Sequence, residues 1–90
     1  MSIVTINATN QISAQIAALK AELENIERKD IMNRRAREAF ILQAEQIAAS
    51  QYEMTPEQLY KVNPGYKGAK DIDNQCAALR EQINLLKDQL

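Results

Sequence analysis

The sequence predicts an all-α chain. It has a long N-terminal helix over about residues 11–50, a short helix over about 55–62 and a C-terminal helix over about 69–90, arranged as an antiparallel helical hairpin or coiled coil. Three observations predict this. The 90 residues include only two Gly and two Pro, all four between Pro56 and Gly68, so breakers are confined to one segment. Apolar residues make up 46% of the chain, enough to exclude a disordered tail, and they are mainly Ala, Ile and Leu rather than aromatic. On both sides of the breaker segment they recur at heptad spacing.

The first six residues, Met1-Ser2-Ile3-Val4-Thr5-Ile6, are β-prone and are expected to form part of an extended arm over residues 1–10. The remaining residues, 11–90, then form one helical domain, with Asn10 as the cap of its first helix. From there Ile12, Ile16, Leu19, Leu23 and Ile26 step by 4, 3, 4 and 3 residues. In a heptad this places Ile12, Leu19 and Ile26 at d and Ile16 and Leu23 at a. Residues 27–50 contain no Gly or Pro, and Ala36, Phe40, Ala44 and Ile47 return to the face of Ile26 on a straight helix. One continuous helix of roughly 60 Å follows from the 1.5 Å rise per residue. The alternative is a break near Lys29–Asp30, which gives a compact three-helix bundle.

Thr55-Pro56-Glu57 is a helix start, with Thr as cap and Pro at the first helical position. Asn63-Pro64-Gly65-Tyr66-Lys67-Gly68 reads as a turn. A second seam follows in Ile72, Cys76, Leu79, Ile83, Leu86 and Leu90. Asp71 and Asp73 stand near its start, where the helix dipole favours acids.

Catalytic chemistry is hard to build from this composition. Without a His, the commonest general base and most zinc sites are missing, and a single Cys on a heptad seam is a small core residue. No phosphate-binding glycine loop is present, and no catalytic, cofactor-binding or metal residue is assigned. The formal net charge of −1 gives no general pull toward nucleic acid or anionic lipid. No apolar run reaches the roughly 20 residues that span a bilayer, and the opening segment is not built as a secretory signal. The expected location is therefore the cytoplasm or the interior of a viral or macromolecular assembly.

Two other groups stand out. Arg28, Lys29, Arg34, Arg35 and Arg37 concentrate positive charge, but Glu27, Asp30 and Glu38 interleave with them and no aromatic side chain is there to stack on a base. Nucleic-acid binding through this segment is thus a third-ranked reading, and Arg28, Lys29, Arg34 and Arg35 are retained as electrostatic contacts to a partner. Asp30, Asn33 and Arg37 fall on the face that should continue the seam. They are either a polar layer that sets register against a partner helix or a wet surface open to recognition.

Ile47-Ala48-Ala49, Thr55-Pro56-Glu57-Gln58-Leu59 and Asn63-Pro64-Gly65 together resemble the central stretch of peptidoglycan-binding LysM modules, over Glu45–Gly68. That module flanks two helices with short strands. Here heptad helices take the place of the strands, so what carries over is a helix–turn–helix pattern and no glycan-binding residue.

A C-terminal helix folding back along a first helix about twice its length leaves the Ile12–Ile26 seam uncovered. An uncovered apolar stripe seeks another chain. The functional expectation is a non-enzymatic protein that contacts other proteins: a self-associating structural subunit of a larger assembly, such as virion components and secretion-machine parts are. The expected interface is the two seams, Ile12 to Ile26 and Ile72 to Leu90, and the partners are the protein itself and a second protein, with no small molecule or membrane. A small inhibitor or regulatory adaptor that occupies a partner's surface is the second reading.

Overall fold

The computed structural model describes the backbone of residues 3–90 and the side chains of residues 8–90. Four helices account for almost all of it: α1 (Ile3–Lys29), α2 (Arg34–Tyr52), α3 (Pro56–Val62) and α4 (Pro64–Lys87). No strand occurs among the described residues. The all-α class holds, but three of its expected boundaries move.

The expected helix over 11–50 is divided into α1 and α2 at Asp30–Asn33. No Gly or Pro causes the break; side chains do. An Asp30 carboxylate oxygen accepts the Met32 N–H at 3.3 Å, and the Asn33 side chain accepts the Ala36 N–H at 2.8 Å as the cap of α2. Asp and Asn compete with helical hydrogen bonding in this way and so favour ends over interiors. Arg37 N–H still donates to Asn33 O at 2.9 Å, so α2 begins without an idle turn.

The extended arm is also corrected. Ile3–Ile6 belong to α1 and Asn10 lies inside the helix rather than at its cap; Met1 and Ser2 lie outside the described residues. Adding a residue to an existing helix gains one hydrogen bond without repeating the nucleation cost, which outweighs the weak strand preference of four residues.

The third change is at α4, which starts at Pro64 rather than near Ala69. Asn63 caps it, accepting the Tyr66 N–H at 3.1 Å on Oδ1, and Pro64 takes the first helical position. Thr55 and Pro56 do the same for α3, where Thr55 and Gln58 form a reciprocal capping box. Between α2 and α3, Glu53 takes a left-handed conformation at φ 53°, and the Met54 N–H closes α2 on Ala48 O at 3.0 Å.

The chain forms two compact units, one made of residues up to Lys29 with Cys76–Leu90, the other of Asp30–Gln75. The first is a helical hairpin. Glu27 pairs with Arg80, while Leu19 and Leu86 border one shallow groove, so residues earlier on α1 meet residues later on α4 and the helices run antiparallel. Ile16, Cys76, Leu79 and Ile83 are buried, and Ile12, Leu19, Leu23, Ile26 and Leu86 are half-buried. Seam meets seam within one chain, as the alternative with a break near Lys29–Asp30 requires. The expectation that Ile12–Ile26 stays bare for another chain is therefore corrected, although Leu90 at its far end stays 60% exposed.

In the second unit, Ile41 and Ala48 of α2, Leu59 of α3, and Tyr66 and Ala69 of α4 form the core, with Met32, Ala44, Met54 and Tyr60 packed against it. This row is not the expected one. Phe40 and Ile47, which a straight helix would bury, are 36% and 41% exposed, whereas Arg37, Ile41 and Ala48 point inward. The break ends the helical phase carried from Ile26, so α2 is free to present a different face.

Candidate functional site

Two features of the Asp30–Gln75 unit carry chemistry. The first is a buried ion cluster. Arg37 is 0% exposed; its Nη1 donates to Asp30 Oδ2 at 3.0 Å and its Nε to Asp73 Oδ1 at 3.2 Å. A guanidinium can serve two carboxylates at once because its donors are fixed in a planar fork. The cluster joins the segment before α2, α2 itself and α4. Of the expected polar layer, then, Asp30 and Arg37 come together, while Asn33 stands apart as an exposed cap. Sequence spacing gives Asp73 only a helix-dipole role. Its role here depends on a contact 36 positions along the chain, which no local spacing announces.

The second is an apolar groove of about 260 Å³ between α2 and α3. Ala48 and Leu59, both buried, lie at its base, and Phe40, Ile47 and Tyr52 stand partly exposed around it. Gln43 and Asn63 are its polar residues, and no charged residue lines it. Phe40, Ala44 and Ile47 carry the spacing of a helix face in the sequence, which by itself points to a continued seam rather than a groove.

Around α3 and α4 the polar groups are mostly engaged. Tyr66 is buried and donates from its hydroxyl to Glu45 Oε1 at 3.1 Å; burial, and then that carboxylate, push its pKa up. Tyr60 donates to Asp71, and chiefly this hydrogen bond raises its pKa; Lys67 Nζ sits 5.6 Å from the Tyr60 ring centroid. Both shifts favour neutral phenols and give neither tyrosine the low pKa of an activated base or nucleophile. Lys70 approaches Glu45 at 3.9 Å.

The proposed electrostatic residues are dispersed. Arg28, Lys29 and Arg35 are exposed, and Arg34 is tied to Glu38 at 2.9 Å in a solvent-facing pair one turn apart. Such a pair adds at most a few tenths of a kcal/mol to a helix. Cys76 is buried within the hairpin, as a small seam residue would be. No group of three or more His, Cys, Asp or Glu could hold a metal ion among the described residues, and none of their helices is long and apolar enough to cross a membrane.

The chain matches no known family model, curated protein or solved structure. The stretch that resembles the LysM centre holds the end of α2, all of α3 and the first residues of α4, and both α2 and α4 run well beyond it. The strands that would frame such a module are not found among the described residues.

Proposed function

We propose that this protein is a non-enzymatic helical subunit that acts by protein–protein contact and associates with copies of itself. The observation that carries this reading is the number of large apolar side chains left in solvent. Ile31, Leu42, Tyr52, Val62, Leu85 and Leu90 are each more than half exposed on a chain of 90 residues. Scattered exposed apolar residues are ordinary, but Tyr52 lies beside Phe40 and Ile47 on one groove, and grouped residues mark contact surfaces. The heptad seam of α1 adds little to this support, because it packs on α4 of the same chain.

Sedimentation velocity at about 100 µM tests the reading. The expected result is a species of two or more chains. A folded species with the 10.2 kDa mass of one chain would overturn it.

A further inference from the structure

We propose that the groove between α2 and α3 is the surface through which two copies of this chain meet, each placing an aromatic or branched side chain in the groove of the other. This rests on the self-association reading above and names its site.

Three properties select a second copy as the occupant. The first is electrostatic. No residue lining the groove is charged, although 26% of the chain is. Two identical surfaces can approach across a twofold axis only if they do not repel, and a neutral surface satisfies that condition by itself. An acidic or basic peptide would find no counter-charge there.

The second is shape. One face carries both projections and a hollow: Phe40, Ile47 and Tyr52 stand partly in solvent, while the small Ala44 and Ala48 leave room between α2 and Leu59 of α3. An isologous interface needs this combination, because each patch must supply both knob and hole. The groove's volume of about 260 Å³ is also informative. A cavity of about 150 Å³ accepts a benzene ring, so an aromatic side chain fits.

The third is area. At full side-chain areas of roughly 150–250 Å², the exposed fractions of Phe40, Ile47 and Tyr52 amount to about 300 Å² of largely apolar surface. A stable dimer buries about 800 Å² per partner, of which about 65% is apolar in homodimer interfaces. The groove residues supply somewhat more than half of that apolar share, about 300 of about 520 Å².

Ile47→Lys and Tyr52→Glu test the proposal, with Leu42→Lys as control. Leu42 is 57% exposed on the same helix, does not line the groove, and falls on the opposite side of α2 at 100° per residue. Each variant is first checked for helical content and melting by circular dichroism, then examined by sedimentation across a dilution series. The expected result is that Ile47→Lys and Tyr52→Glu each fold yet weaken self-association by about 100-fold or more, as loss of a central interface residue does, while Leu42→Lys associates like the parent. If the groove variants associate as tightly as the parent, the contact lies elsewhere; the groove proposal is then overturned and the self-association reading survives. A monomeric parent overturns both. Should Ile47→Lys unfold, Tyr52→Glu decides, since Tyr52 is 66% exposed at the end of α2.

Discussion

A guanidinium taken out of water needs counter-charge and acceptors, and Arg37 finds both on Asp30 and Asp73. Removing one member of such a buried set leaves the others charged in a poor solvent. Arg37→Ala is therefore expected to destabilise the fold by about 3–5 kcal/mol in urea titrations. Arg37→Met combined with Asp30→Leu should recover much of that loss, because it restores volume and removes the most deeply buried unpaired carboxylate; Asp73, at 27% side-chain exposure, keeps access to water. If the double variant is no more stable than Arg37→Ala, the cluster does not hold the fold through charge satisfaction. The sequence showed that Asp30 and Arg37, with Asn33, lie on a face where apolar residues were due. It could not show that the cluster is internal to the chain, because Asp73 reaches Arg37 only after α2 and α4 have packed.

At the scale of the element, the helix ends decide most of the outcome. The Thr55-Pro56 start was legible because cap and proline are neighbours in the sequence, while the reciprocal contribution of Gln58 shows only in the structure. Asn63-Pro64 carries the same signature, but Gly65 and Gly68 weigh toward a turn, and the helix forms through both. Burial of Tyr66 and Ala69 on its inner face outweighs the glycines. Gly68 is thus an ordinary interior helical position. A Cβ there meets nothing within 4 Å, and its φ is not positive. Gly68→Ala should raise stability by about 0.5–1 kcal/mol, the difference in helix propensity, seen as a higher urea midpoint at unchanged slope. Gly65→Ala should gain less, since its Cβ would meet Asn63 Oδ1 at 3.4 Å and crowd the cap. A loss at Gly68 would mean that α4 starts after it. The break between α1 and α2 was the harder reading, because Asp and Asn weaken a helix without forbidding it.

At the scale of the whole molecule, α4 serves both compact units, its early residues in one and Cys76 onward in the other. Its two halves are one continuous helix, so unfolding one unit leaves the other's half with a frayed end and unpaired backbone groups. All three tyrosines, Tyr52, Tyr60 and Tyr66, belong to the Asp30–Gln75 unit, so tyrosine absorbance reports that unit alone while far-ultraviolet circular dichroism reports every helix. The two signals are expected to give coincident transitions on heating, the sign of a two-state process. A tyrosine transition several degrees away from the helical one would show that the units melt separately. The heptad seams of α1 and α4 were readable from spacing alone, whereas the division into units was not, because it follows from the side-chain break at Asp30–Asn33.

That break has a consequence for the history of such a chain. Nothing in the backbone between Glu27 and Ser50 demands an interruption; a few side chains impose it. Two different architectures, one with a single long rod and one with two shorter helices, therefore differ by no change of chain length, only by substitutions around Asp30, Asn33 and Arg37 and on the face of α2 that packs inward. A lineage could cross between them without passing through an insertion, a deletion or a new proline.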